Sequence, residues 1–154
     1  MALVVGDKVP DFSAKDSYGN DFESKSVIGK KLLVVYFYPK DNTPGCTAQA
    51  CSFRDQYEDF KDLGAEVIGI SSDSETSHQK FSKQYKIPFM LLSDSDKKLR
   101  NLFGVKTNLF GLLPGRVTYV IDKNGIIQLI FDNLVATNHI PKALNIIKKL
   151  SANK

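Results

Sequence analysis

Apolar residues form uninterrupted runs in the middle of the chain, and segments with a different spacing lie between these runs. The runs are typical of strands buried on both faces of a parallel sheet, and they lie at residues 32–38, 65–71 and 89–93. The other segments carry apolar side chains at helical spacing, and they lie at residues 47–63, 75–85 and 97–103. This βαβαβα order predicts a parallel core.

Further elements are predicted on both sides of this core. Residues 9–22 predict an N-terminal β-hairpin. Near the other end, Asn124-Gly125 separates apolar segments at residues 117–122 and 126–131, and Asn-Gly is a strong hairpin signal. Residues 140–150 predict a final amphipathic helix.

We therefore predict the α/β class and a thioredoxin-like fold. Its mixed central sheet would carry helices on both faces and an N-terminal β-hairpin. A flavodoxin-like sheet fits less well, because the closing hairpin breaks the alternation of strand and helix.

Composition narrows the class of protein. With 154 residues, 42% hydrophobic and 25% charged, the chain predicts one soluble domain, residues 1–154. No apolar run is long enough to cross a membrane, and no secretory leader is visible. We expect a cytoplasmic location, or the plastid stroma or thylakoid if a transit peptide or a plastid genome is involved. The net charge of +4 comes from scattered basic residues, which does not favour nucleic-acid binding.

The chain has only two cysteines, Cys46 and Cys51. Cys46 follows the first apolar run and would stand in the first turn of a helix. Unpaired backbone N–H groups and the helix dipole stabilise a thiolate there, and the thiolate is the nucleophile. The sequence therefore predicts a reactive thiol. Because the chain has no CxxC pair and no Cys/His cluster, it does not favour a structural zinc site.

The spacing of the cysteines constrains how they could react with each other. On one continuous helix their Cα atoms would be roughly 8.6 Å apart and their side chains would point about 140° apart. A disulfide needs Cα atoms within about 7 Å of each other. If Cys46 and Cys51 form a disulfide, the helix must partly unwind.

Peroxide reduction is a chemistry that uses a thiolate first and a second thiol later. Thr43 could place its hydroxyl beside the sulfur of Cys46, and Pro39 could shield the site and shape the strand end. Arg116 is the candidate for a fixed positive charge. It reaches this edge of the sheet only if the strand that follows it lies next to the first apolar strand.

The segment Pro39-x-x-x-Thr43-x-x-Cys46 resembles the active-site motif of the peroxiredoxins. With Cys51 five residues later, it is similar to the Q type, also called the bacterioferritin-comigratory type. The resemblance covers nearly the whole chain, and residues 109–116 are similar to plant-plastid and cyanobacterial members in particular. The main departure from the plant pattern is the segment 133–139.

The resemblance implies a peroxidatic Cys46 and a resolving Cys51, joined as an intramolecular disulfide in an atypical two-cysteine cycle. It implies that Pro39, Thr43 and Arg116 complete the peroxide site. It further implies a monomeric antioxidant enzyme that reduces hydrogen peroxide and alkyl hydroperoxides. Thioredoxin is the expected reductant, no metal or other cofactor is expected, and neither is a nucleic-acid or membrane partner.

On the residues alone, other interpretations stay open. Cys46 could be a buried structural thiol, Cys51 could be inert, and Arg116 could form a surface salt bridge. A protein disulfide oxidoreductase is disfavoured, because such enzymes use CxxC. A metal-binding module would need a histidine near the cysteines, and His78 and His139 are both predicted to be ordinary surface residues.

Overall fold

The computed structural model describes residues 3–105, 107–108, 113–114, 116–132 and 138–152. Its nine strands within these ranges are β1 (Ser13–Asp16), β2 (Asp21–Glu23), β3 (Leu32–Phe37), β4 (Ala65–Ser71), β5 (Met90–Ser93), β6 (Thr107–Asn108), β7 (Leu113–Pro114), β8 (Val117–Ile121) and β9 (Ile127–Asp132). Its α-helices there are α1 (Pro44–Asp55), α2 (Tyr57–Asp62), α3 (Glu75–Tyr85), α4 (Lys98–Phe103) and α5 (His139–Ala152). Part of the segment 109–116 and most of the segment 133–139, which bear on the family resemblance, lie outside the described residues.

A seven-stranded mixed sheet forms the centre of the protein, in the order β2-β1-β5-β4-β3-β8-β9. Strands β3, β4 and β5 are parallel, whereas β8 and β9 on one side and β1 and β2 on the other are antiparallel. The predicted parallel core, the N-terminal hairpin and the closing hairpin are all confirmed.

Helices cover both faces of the sheet. The side chains of β3 alternate between the two faces, and on each face they pack into a buried cluster. Val34 and Tyr36 face a cluster that includes residues of α1, α2, α3 and α5. Leu33, Val35 and Phe37 face the other cluster, which includes residues of α4 and of the N-terminal hairpin. Each residue of β3 is buried, so its carboxyl end is a rigid base for the segment that follows.

The single helix predicted for residues 47–63 is wrong in one respect. The structure has two helices there, α1 and α2, separated at Gln56, whose backbone φ of −109° and ψ of 9° leave the helical range. The amide of Gln56 is shared between the carbonyls of Ser52 and Phe53, as is common where a helix ends. Phe53 and Phe60 on the two helices are both fully buried, with ring centroids 5.8 Å apart. The break is thus compatible with continuous packing of aromatic residues on the sheet.

Candidate active site

Cys46 lies in the first turn of α1, where the sequence placed it. Thr43 is the residue that caps the helix, and Pro44 occupies the first helical position, for which its fixed φ is suited. The side chain of Cys46 is only 1% exposed and belongs to the cluster beneath α1. The amides of this first turn have no partners within the helix, and they favour negative charge on the sulfur.

Arg116 contacts the sulfur directly. It immediately precedes β8, and β8 pairs antiparallel with β3 so that Val117 lies opposite Phe37. The strand that follows Arg116 therefore lies next to the first apolar strand, which is the condition for Arg116 to reach this edge of the sheet. The guanidinium is buried, and its Nη2 atom donates to Sγ of Cys46 across 3.3 Å. A buried cation in hydrogen-bond contact stabilises a thiolate.

Gln49 is part of the same site and was missed by the sequence reasoning. Its Oε1 atom accepts a hydrogen bond of 2.5 Å from Nη1 of Arg116, so the two arms of the guanidinium hold one partner each. Gln49 stands three residues after Cys46 and four before Phe53, and both of these neighbours are buried. The helical spacing therefore contained a signal for a buried Gln49.

Gly45 leaves room for the guanidinium. A Cβ atom built on this residue would lie 3.1 Å from Nη2 and 3.9 Å from Cζ of Arg116. Any larger residue at this position would push the guanidinium away from Cys46. The glycine at position 45 is thus explained by the close approach of the Arg116 side chain and not by its backbone conformation.

Pro39 and Thr43 both lie in the loop between β3 and α1, and both are half-buried. The hydroxyl of Thr43 donates to the backbone carbonyl of Lys40 across 2.9 Å. Because its hydrogen is used in this bond, the Thr43 oxygen is left with its two lone pairs and can act only as an acceptor toward a substrate. A protonated peroxide oxygen is a suitable donor for it.

Cys51 lies on the same helix as Cys46 and is half-buried, and both thiols are free. The two cysteines therefore do lie on one continuous helix. With both residues in an intact α1, their Cα atoms are too far apart for a disulfide.

The prediction that His78 is an ordinary surface residue is wrong. Its side chain is 0% exposed, and it lies 37 residues along the chain from its partner, Asp41, which is also buried. The Nδ1 atom of His78 is 2.7 Å from Oδ2 of Asp41, and its Nε2 atom is 2.9 Å from the carbonyl of Leu92. The helix α3 packs against β5 and carries His78 into the interior together with Phe81.

The same prediction is wrong for His139. Its side chain is fully buried at the start of α5, because that helix packs on β8 and β9. Its Nδ1 atom lies 2.7 Å from the hydroxyl of Thr118, and its ring meets the ring of Phe131 edge-on at 4.9 Å.

Asp41, Asp73 and His78 bring three potential metal-ligand atoms within 4.8 Å of one another. These side chains already form hydrogen bonds. Asp73 accepts from the backbone of Asp41 and from Ser71, and Asp41 accepts from Tyr38 and Ser77. The cluster is therefore best described as a hydrogen-bond network.

Comparison with known proteins places this arrangement in a family. Residues 5–130 match the AhpC/TSA family. The chain is 52% identical to chloroplastic peroxiredoxin Q of Sedum lineare over 146 residues, which cover 94% of this chain and 78% of that protein. The chain belongs to the AhpC/TSA family and is a peroxiredoxin of the Q type.

Solved structures agree with this assignment. The peroxidoxin BcpB of Mycobacterium tuberculosis superposes with a TM-score of 0.89 at 32% identity, covering 96% of this chain and 98% of that one. The bacterioferritin comigratory protein of Xanthomonas campestris, solved in work on its alkyl peroxide reduction, has a TM-score of 0.83 at 30% identity, covering 91% and 92% of the two chains. The fold is thioredoxin-like, and the chain is a thiol-dependent peroxidase that uses peroxide substrates and thiol reductants.

None of the helices within the described residues has both the length and the apolar character that a membrane span requires.

Proposed function

We propose that Cys46 is the peroxidatic cysteine. Its thiolate attacks one oxygen of a hydroperoxide, the O–O bond breaks, and the sulfur becomes a sulfenic acid. The other oxygen leaves with a proton as water or an alcohol. The contact of 3.3 Å between Arg116 and the sulfur is the observation that carries this proposal.

Three other side chains take part in this step by holding the peroxide and the sulfur. Arg116 stabilises the thiolate and the negative charge that develops on the leaving oxygen. Thr43 accepts a hydrogen bond from the peroxide, because its own hydrogen is donated to Lys40. Pro39, which lacks an N–H group, covers the site from the strand end.

Cys51 is the resolving cysteine in this proposal. Its thiol condenses with the sulfenic acid of Cys46, one S–S bond forms, and one water leaves. The step requires part of α1 to unwind. The break at Gln56 separates α1 from α2, so the unwinding can stop there while Phe60 keeps α2 packed on the sheet.

A dithiol then returns two electrons and two protons to the Cys46–Cys51 disulfide. Thioredoxin is the proposed reductant, and hydrogen peroxide and alkyl hydroperoxides are the proposed substrates. The alkyl peroxide reduction of the Xanthomonas campestris relative supports the second substrate class. We further propose a single domain over residues 1–154 that acts as a monomer. The chloroplastic relatives favour a plastid location.

The proposal is tested by counting free thiols and measuring intact mass after one equivalent of hydrogen peroxide. The wild type is expected to lose two thiols and about two hydrogens of mass, whereas Cys51→Ser should stop at a sulfenic acid. Cys46→Ser should lose peroxidase activity. Survival of both thiols in the wild type would exclude the cycle, and full activity of Cys46→Ser would exclude Cys46 as the nucleophile.

A further inference from the structure

One peptide unit connects the catalytic threonine to the interior of the protein. The carbonyl of Lys40 accepts the hydroxyl of Thr43, and the amide N–H of Asp41, on the other side of the same peptide, donates to Oδ2 of Asp73 across 2.8 Å. Asp73 in turn accepts from the hydroxyl of Ser71 at 2.7 Å. The peptide whose carbonyl orients Thr43 is therefore held in place by Asp73, a residue outside the active-site loop.

The carboxylate of Asp41 holds the same loop through further hydrogen bonds. Tyr38 donates to its Oδ1 atom at 2.6 Å, and Ser77 donates to its Oδ2 atom at 2.9 Å. Burial, followed by the negative charge of Asp41, holds the pKa of Tyr38 well above its usual value, so Tyr38 remains a donor. The third partner of the carboxylate is His78 at 2.7 Å.

The proton positions on His78 follow from its partners. The carbonyl of Leu92 only accepts, so Nε2 carries a hydrogen. On the other side, Nδ1 faces a carboxylate that already accepts from Tyr38 and Ser77, so Nδ1 also donates. His78 thus joins the loop, through Asp41, to strand β5.

We propose that Asp41 and His78 are positioning residues for the peroxide step. The buried pair locks the Lys40–Asp41 peptide, whose carbonyl sets the direction of the Thr43 hydroxyl at the start of α1. This role rests on the proposed function, because it presupposes that peroxide binds between Thr43 and Cys46. Neither residue touches the peroxide. Arg116 reaches the sulfur from β8, a separate element, and is not held by this network.

Arg116 and the Asp41–His78 pair are held by different parts of the fold, so the positioning role predicts a specific change in reactivity. Loss of the His78–Asp41 bond should leave the thiolate and Arg116 in place while the Thr43 hydroxyl shifts. Reaction of Cys46 with an alkylating reagent does not use Thr43, whereas reaction with peroxide does. The rate with hydrogen peroxide should therefore fall while the rate with iodoacetamide is retained.

Two substitutions of His78 separate its two bonds. The amide nitrogen of asparagine occupies the place of Nδ1, so His78→Asn keeps a donor for Asp41 and loses the donor for Leu92. The amide nitrogen of glutamine occupies the place of Nε2, so His78→Gln keeps the donor for Leu92 and loses the one for Asp41. Each variant loses one buried hydrogen bond, which makes them matched controls for stability.

The experiment measures single-turnover oxidation of Cys46 by hydrogen peroxide, alkylation of Cys46 by iodoacetamide, and Tm. All are measured in a Cys51→Ser background, so that only one thiol reacts. His78→Gln is expected to slow oxidation by about 100-fold, the typical effect of a misplacement of about 1 Å, with the alkylation rate unchanged. His78→Asn should oxidise much faster than His78→Gln at a comparable Tm.

A second pair of variants tests the same path if the His78 variants fold poorly. Asp73 is only half-buried, and Asp73→Asn retains an oxygen that can accept from the Asp41 amide. Asp73→Ala removes it. We expect Asp73→Ala to lose peroxide reactivity and Asp73→Asn to retain it.

Several results would overturn the positioning role. Equal oxidation rates in His78→Asn and His78→Gln would assign His78 to stability alone, as would a parallel change in oxidation and alkylation. Equal rates in the two Asp73 variants would remove the path through the peptide. Turnover of hydrogen peroxide by the Cys46→Ser variant, with Cys51 retained, at the wild-type rate would instead refute the proposed function itself, so the two failures are distinguishable.

Discussion

The Nη2 atom of Arg116 lies 3.3 Å from the sulfur of Cys46, although 70 residues separate the two in the chain. One residue stands at the start of a helix and the other at the start of an antiparallel strand. The pairing of β8 with β3 brings these two starts to the same end of the sheet. The contact between the guanidinium and the thiol therefore depends on the order of strands as well as on the local motif.

Replacement of Arg116 should affect peroxide chemistry more than folding. Arg116→Met should slow oxidation of Cys46 by about 10²–10³-fold, the usual loss when one donor to a developing charge is removed. Arg116→Lys keeps a charge but cannot hold the sulfur and Gln49 with two arms, so it should recover only part of the rate. Stopped-flow oxidation measures both.

A second arginine offers a matched control for these variants. Arg54 also lies on α1, and it pairs with the neighbouring Asp55. Arg54→Met should oxidise at the wild-type rate. An equal loss of rate in both arginine variants would mean that the effect comes from general destabilisation of α1.

Gly45→Ala is expected to slow oxidation of Cys46 without destabilising the protein. Alanine favours the helix over glycine by about 0.5–1 kcal/mol, and Gly45 does not have the positive φ that would penalise it. The new Cβ would meet Nη2 of Arg116 at 3.1 Å and displace the guanidinium. We expect slower oxidation of Cys46 with no loss of unfolding free energy. Unchanged oxidation would show that the guanidinium can shift without consequence.

Tyr36→Phe should stabilise the reduced protein. The Tyr36 hydroxyl is buried, and no atom of the described residues forms a hydrogen bond with it. Its removal should raise the free energy of unfolding by about 1–2 kcal/mol, because an unpaired buried donor is costly. The ring stacks on Phe53 of α1 at 4.7 Å, so a more stable packing should also slow formation of the Cys46–Cys51 disulfide. Chemical denaturation and disulfide kinetics measure the two effects.

Tyr57→Phe is the control for that variant. The Tyr57 hydroxyl donates to Glu66 at 2.7 Å, so its removal should lower stability where removal of the Tyr36 hydroxyl raises it. A loss of stability in Tyr36→Phe would instead indicate that ordered water satisfies the hydroxyl.

The buried Tyr119 should make stability fall at alkaline pH. Burial, followed by the negative charge of Asp132, raises the pKa of Tyr119 to about 12, with Arg100 opposing. In the unfolded chain a tyrosine pKa is about 10. Tyr119 therefore stays protonated to a higher pH in the folded state than in the unfolded chain. Its contribution to the free energy of unfolding is complete below about pH 10 and is lost as the pH rises to about 12.

Denaturant unfolding of the wild type and Tyr119→Phe across this range measures the effect. The stability of the wild type relative to the variant should be constant below about pH 10 and decrease above it. Parallel curves for the two proteins through this range would contradict the assignment.

The strands and the place of Cys46 in the first turn of a helix could be predicted from the sequence because both depend on local patterns. Uninterrupted apolar runs located β3, β4 and β5, and the motif around Cys46 located the helix start. The break at Gln56 could not be predicted in this way, because it depends on how Phe53 and Phe60 pack on the sheet. Spacing alone favoured one helix.

The buried histidines escaped prediction for a related reason. Asp41 and His78 are joined by the packing of α3 against β5, a contact that no local pattern specifies. His78 does stand three residues before Phe81, which puts both on the buried face of α3. A polar residue at an apolar position of a helix was therefore the available signal, as it was for Gln49.

The separation of Cys46 and Arg116 along the chain also sets when, during synthesis, the thiol acquires its cationic partner. A ribosome adds about 5–20 residues per second, so Cys46 is made roughly 4–14 seconds before Arg116. During that interval the cysteine has no guanidinium beside it, and β8 is not yet present to deliver one. The nascent chain thus carries Cys46 without its guanidinium partner until the last quarter of the protein is made and folds.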